Sequence, residues 1–318
     1  MNSEYVVRLD DCGAHPADLV GRKASRLSGL IGAGVPVPEG FVVTAAAYRL
    51  FVQENRLGPV IAQAIRRFRA GRDLGVATAE IRTAFRDAPV PPALTEAILT
   101  AYDELGGEGT DVAVRCSPVE SADGEVFLNL RTGADVVAAC RRCFASLFSA
   151  VAVGNREALG EDHLKAVMPV IVQPMVRADV GASGTARGES TFVRVHAGWG
   201  LGEQPAGADQ YSVHPGHRPL IVRHHGTKPA KVVYAGPRGT RTVPTTPEEQ
   251  AADVLTDEDL RQLANWSATA DELFQRPMTL HWSKDGVTSH LYILESRPVQ
   301  TPLRTTLTHQ TSVVPQFT

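Results

Sequence analysis

Apolar residues recur every three or four positions through most of the first hundred residues, and turn residues mark where each run begins. Between residues 19 and 34, Val20, Ala24, Leu27, Leu30 and Ile31 share one face, and Gly34 followed by Pro36 ends the run. This predicts a helix. Pro36-Val37-Pro38-Glu39-Gly40 reads as a turn, Phe41-Val42-Val43 as a strand, and Thr44 as the N-cap of a helix to about residue 55. Amphipathic runs at 58–69, 76–87 and 91–105 predict three more helices. From Asp111 the pattern changes to strands at 112–114, 127–130 and 170–172, with a long helix over 135–150 between the last two. Beyond 179, short strands and Gly-rich or Pro-rich turns run to 247, and a helix over 257–274 precedes strands at 278–282 and 290–294. The alternation predicts a mixed α/β (α+β) fold. From about residue 301 the chain is polar without period and reads as a loose tail.

With 318 residues, 43% of them hydrophobic, the chain can bury one large core or two joined ones. Its formal charge of -3, from 32 Lys and Arg against 35 Asp and Glu, offers no field of one sign to a polyanion, so nucleic acid is not an expected partner. No basic leader and no apolar run of about 20 residues appears, so a cytoplasmic protein without a membrane partner is expected. Cys140 and Cys143 form a C-x-x-C, but Val137, Phe144 and Leu147 continue the same helical face. Buried thiols are therefore expected rather than a metal or redox pair.

Several polar residues stand where apolar ones would be cheaper. Arg115 closes an apolar strand, a costly place for a guanidinium unless it meets an anion, either a phosphate or a buried carboxylate. Arg297, at the end of the last strand, poses the same alternative. Lys23 lies beside an apolar helix face and either snorkels there or reaches a phosphate. Gln173 follows Val170-Ile171-Val172 and either offers a donor and an acceptor to an adenine edge or is a plain strand-end amide. Glu203, in Gly200-Leu201-Gly202-Glu203, is either solvated or a metal ligand.

Five segments, in order, resemble the nucleotide-binding domain at the N-terminus of pyruvate phosphate dikinase and phosphoenolpyruvate synthase. They are Gly21-Arg22-Lys23-Ala24 continuing through Gly34 to Thr44, against G-G-K-A and G-x-x-V-P-x-G-F-V-V-T; Val114-Arg115-Cys116-Ser117, against V-R-S-S; and Val172-Gln173-Pro174-Met175-Val176, against V-Q-x-M-V. Gly200-Leu201-Gly202-Glu203 with Asp209 and Tyr211, and Leu291 to Pro298 against L-Y-I-L-Q-x-R-P, complete the series. The resemblance implies an ATP-grasp-like fold in which two subdomains, 1–180 and 181–302, hold ATP and magnesium in the cleft between them, ahead of a flexible tail at 303–318. It implies a nucleotide site at Lys23, Arg115, Gln173 and Arg297, with Gly124 in the phosphate loop, catalytic roles for Arg115 and Arg297, and a metal ligand at Glu203; Glu295, as a catalytic and metal candidate, and His281, as a metal candidate, stand at positions where the chain departs from the family.

The departures are as specific as the matches. Where the family has D-I-E-W, whose glutamate holds magnesium, this chain has Thr279-Leu280-His281-Trp282, and the family glutamine of the next strand is Glu295. If the two strands are adjacent, either the carboxylate has moved across from His281 to Glu295, or His281 is a satisfied interior histidine and the metal site has decayed. The family F-T-x-D-P is represented by Gly184-Thr185-Ala186-Arg187-Gly188, and the phosphate loop ending at Gly124 and Glu125 is shortened. Nothing within the 318 residues resembles the family's phosphohistidine domain or its pyruvate barrel. Three functions are compatible with this: an ATP-dependent phosphotransferase subunit acting on a histidine of a separate phosphohistidine-domain protein or on a small acceptor; a nucleotide-responsive or structural partner subunit; and a reprogrammed ligase.

Overall fold

The computed structural model describes residues 4–118, 125–202, 207–214, 216, 219–235 and 239–299. The tail predicted for 303–318 lies outside them.

Strand β1 (Val6–Arg8) is followed by helices α1 (Ala17–Val20) and α2 (Arg22–Gly32). The apolar spacing predicts one helix over 19–34, but Gly21 divides it. Its φ of 85° lies in the left-handed region, and a Cβ there would stand 2.0 Å from the carbonyl oxygen of Ser117. Glycine alone accommodates both that conformation and that approach. The new helix start lets the Ala24 amide donate to the Ser117 hydroxyl at 3.4 Å.

Next come β2 (Phe41–Val43) and helices α3 (Ala45–Glu54), α4 (Leu57–Arg69), α5 (Leu74–Asp87) and α6 (Pro92–Glu104). Thr44 caps α3 as expected, its hydroxyl accepting from the Ala47 amide. Strands β3 (Val112–Cys116) and β4 (Val126–Leu130), helices α7 (Gly133–Ser146) and α8 (Ala150–Leu159), and strand β5 (Val170–Pro174) follow. The single helix predicted over 135–150 is thus two, because the chain turns after Ser146 and Ser149 caps a new helix. In α8, Val151 and Leu159 face outward, so the sequence carries no clear inward stripe there.

These five strands form an antiparallel sheet in the order β1-β2-β5-β3-β4. Its alternate residues face two layers. Phe41, Val43, Val114, Val170 and Val172 join the core that holds Phe51, Phe85 and Phe144. Val7, Val42 and Ile171 face the opposite way, against Val20, Ala24 and Leu27. Arg115 pairs in register with Ile171 and so shares this second face. Cys140 and Cys143 are buried in the first core, and burial pushes both thiols above their ordinary pKa.

The second half contributes β6 (Ala182–Gly188), β7 (Val193–Trp199), β8 (Asp209–His214) and β9 (Leu220–His224), then a hairpin of β10 (Ala230–Tyr234) and β11 (Thr240–Pro244). Helices α9 (Pro247–Ala251) and α10 (Asp257–Phe274) lead to β12 (Met278–Lys284) and β13 (Leu291–Pro298). Helix α10 starts where its spacing predicts, because Thr256 and Asp259 form a capping box. The sheet runs β13-β12-β6-β7-β8-β9. Leu280, Ala186, Val195 and Tyr211 stand in register across it and are buried with Leu260, Leu263 and Ala270 of α10.

Helix α2 ties the two sheets together. Leu27 packs in the layer of the first sheet, while Leu30 packs in the core of the second. Arg26 Nη1 donates to the Ser296 carbonyl at 2.8 Å, and the Ile293 amide donates to the Pro36 carbonyl at 2.8 Å. Among the described residues no single helix is long and apolar enough to cross a membrane.

Candidate functional site

The two sheets enclose a cleft of about 390 Å³, lined by Lys23, Arg115, Gln173, His281, Glu295 and Arg297 among others. All six were singled out from the sequence. Gly124 and Glu203, the two remaining candidates, lie outside the described residues.

Lys23 enters the cleft because Gly21 restarts the helix one residue before α2. Its ammonium lies 3.0 Å from Glu295 Oε1. Arg297 Nε lies 2.8 Å from the same oxygen, and its Nη2 donates to Oε2 at 2.8 Å. Burial opposes ionisation of Glu295, but the Arg297 hydrogen bond and the Lys23 ammonium outweigh it and hold the carboxyl at about 2. Glu295 is therefore an anion clasped by two cations. His281 stands directly opposite it in register and is buried, so the two strands are adjacent as the sequence reading supposed.

Arg115 projects from the first sheet and donates from Nη1 to the Leu294 carbonyl at 3.2 Å, bridging the cleft at its base. Gln173 is buried, and its Nε2 donates to the Pro38 carbonyl at 2.8 Å. Gly40 makes that contact possible: a Cβ there would lie 2.3 Å from the Val172 carbonyl oxygen and 2.8 Å from Gln173 Cγ. The Pro36 to Gly40 turn and the Val172-Gln173 segment are one packed unit, which explains why both need their particular residues. Leu27, Val126, Leu128, Ile171 and Met175 supply apolar lining beside the cations. A flat apolar ring bearing an anionic tail suits such a surface.

A second groove, of about 820 Å³, continues from the cleft past His281 and Arg297. Arg187, Arg194 and His196 line it, and the sequence reading did not single out the last two. The available signal was a polar residue at every second position, Thr185 and Arg187 on β6, Arg194 and His196 on β7. Asp209, His225 and Asp253 lie close enough to suggest a metal group. Asp209 is already committed, however, since Oδ1 accepts from Lys228 Nζ at 2.6 Å and from the Gly226 amide at 2.7 Å. Its Oδ2 accepts from the Tyr211 hydroxyl at 3.1 Å and from the Val254 amide at 3.4 Å.

Comparison with known proteins agrees with this geometry. The family described as pyruvate phosphate dikinase, AMP/ATP-binding domain, matches residues 17–314. Phosphoenolpyruvate synthase of Deinococcus radiodurans is 36% identical over 297 residues, covering 86% of this chain and 38% of that protein. The phosphoenolpyruvate synthases of Synechocystis sp. and Escherichia coli are 32% and 33% identical, over 92% and 93% of this chain and 41% and 42% of their own lengths. The chain thus spans about two fifths of the curated relatives it matches. With a family match over nearly the whole chain and a mixed α/β fold that brings the matched motifs to one cleft, the chain belongs to the pyruvate phosphate dikinase AMP/ATP-binding domain family.

Proposed function

We propose that the chain binds ATP in the cleft and serves as the nucleotide half of a dikinase-type phosphotransferase, passing a phosphoryl or pyrophosphoryl group to a histidine of a partner protein or to a small acceptor. The convergence of Lys23, Arg115 and Arg297 on one cleft beside Gln173 carries this reading. Phosphoryl transfer is mostly positioning and charge neutralisation, and three cations at one end of an apolar cleft suit a triphosphate. The side-chain carbonyl of Gln173 is the acceptor that this reading assigns to an adenine amine. The two sheets support an ATP-grasp-like division at 1–180 and 181–302, with ATP between. Four free thiols support a cytoplasmic setting.

Magnesium, which the resemblance implies, does not fit the described residues. Glu295 is held between Lys23 and Arg297, and His281 offers an imidazole where a hard cation prefers oxygen. This occupied carboxylate favours a second reading, a nucleotide-responsive partner subunit without turnover. Incubation with ATP and a phosphohistidine-domain protein from the same organism separates the two. Phosphorylated partner with AMP or ADP is expected; ATP binding without any product would leave the second reading standing.

A further inference from the structure

The groove beyond the cleft has a charge pattern of its own. Cross-strand register places Glu295, His281, Thr185, His196 and Gln210 in one row across the second sheet. Arg297, Thr279, Arg187 and Arg194 form the next such row. The intervening row, Leu280, Ala186, Val195 and Tyr211, points into the core, so both polar rows share the open face.

Among the described residues lining cleft and groove there are two carboxylates, Glu189 and Glu295, and each is shared by two cations. Glu189 Oε1 lies 3.7 Å from Arg187 Nε and 3.4 Å from Arg194 Nε. Glu295 is shared by Lys23 and Arg297. Among the described lining residues, five cations, Lys23, Arg115, Arg187, Arg194 and Arg297, stand against these two carboxylates, a formal charge of +3, in a chain whose net charge is -3. Burial, helped by Arg194, lowers the His196 pKa from its ordinary value, and among the described residues its enclosed Nε2 meets no hydrogen-bond partner.

The sequence departures fall on the same face. Thr279, His281 and Arg187 stand where the family motifs carry Asp, Glu and Asp. No carboxylate stands at these three positions here, but a hydroxyl, an imidazole and a guanidinium. Planar guanidinium groups pair with phosphate oxygens through two parallel hydrogen bonds, which makes them direct substitutes for a metal bridge.

We propose that this face binds a phosphate group directly, with Arg187, Arg194 and Arg297 taking the place of a divalent cation. The phosphate belongs either to the tail of a nucleotide seated in the cleft or to a separately bound phosphomonoester. The first source rests on the ATP reading above; the second does not.

Calorimetric titration of the full chain in EDTA tests this, with ATP, adenosine and inorganic phosphate as probes. Arg187 and Arg194 are half-exposed, so the paired variant R187A/R194A should fold, and E189Q supplies a change of opposite sign. The expected result is binding of ATP, inorganic phosphate or both in EDTA, weakened roughly tenfold or more in R187A/R194A and strengthened in E189Q, with adenosine unaffected. Arginine-dependent binding confined to ATP identifies the nucleotide tail as the source, and arginine-dependent binding of inorganic phosphate identifies a separate phosphomonoester. If neither ATP nor adenosine binds while inorganic phosphate does, the ATP reading falls and the phosphate site stands. Affinities unchanged in both variants, or binding of ATP and phosphate only when magnesium replaces EDTA, would overturn the proposal.

Discussion

The Lys23 ammonium lies 3.0 Å from the Glu295 carboxylate, joining the first turn of α2 to the last strand of the second sheet. Arg297 holds the same carboxylate from the other side. Glu295 thus occupies, from within the protein, the place between two cations that a bound phosphate would take.

Two consequences follow for Glu295→Gln. Releasing Lys23 and Arg297 should tighten ATP binding in chelator, by about 1 kcal/mol or more for charge-assisted contacts; a magnesium ligand at this position would instead weaken ATP binding in magnesium. The second consequence concerns acid stability. The carboxyl sits at about 2 in the folded chain against an ordinary 4.5, so its contribution is complete above about 4.5 and fades as pH falls toward 2. Melting temperature should therefore drop less steeply across that window in the glutamine variant than in the parent chain.

Gly21 and Gly32 give a paired test of the helix break. Gly21→Ala forces a left-handed φ on alanine and a 2.0 Å approach to the Ser117 carbonyl, so a loss of about 1 to 3 kcal/mol or more is expected. Gly32→Ala meets nothing within 4 Å at the end of α2 and should be neutral or stabilising by up to about 1 kcal/mol. Denaturant unfolding of both variants checks the difference in sign.

The Asp209–Lys228 pair is buried on both sides, with side chains about 1% exposed. Lys228→Ala should cost about 3 to 5 kcal/mol, because it strands a carboxylate in the core. Adding Asp209→Asn should recover part of that loss, since the stranded charge is gone. Equal unfolding midpoints for the parent and Lys228→Ala would show that the pair is not structural.

That pair also marks where the sequence was legible and where it was not. Asp209 and Tyr211 could be matched to a family D-x-Y, but the matching said nothing of Lys228, nineteen positions on, whose ammonium fixes the aspartate. Local signals fared better. Thr44 before an apolar run and the period of 257–274 each named an element that the structure contains, because capping and amphipathicity are short-range. The break at Gly21 was hidden because its cause, the Ser117 carbonyl, arrives from far along the chain. Lys23, Arg115, Gln173, His281, Glu295 and Arg297 could be chosen singly as costly or matched residues, and they do line one cleft. Their pairing could not be read, since the salt bridges of Glu295 depend on how α2 docks on β13.

Calorimetry with ATP bears most directly on the nucleotide site. Arg115→Ala and Arg297→Ala remove cations from opposite walls of the cleft. Each should weaken ATP binding by about 1.5 to 3 kcal/mol, the range for hydrogen bonds to a charged group, while leaving adenosine binding nearly unchanged. ATP affinity equal to that of the parent chain in both variants would contradict a triphosphate seated among Lys23, Arg115 and Arg297.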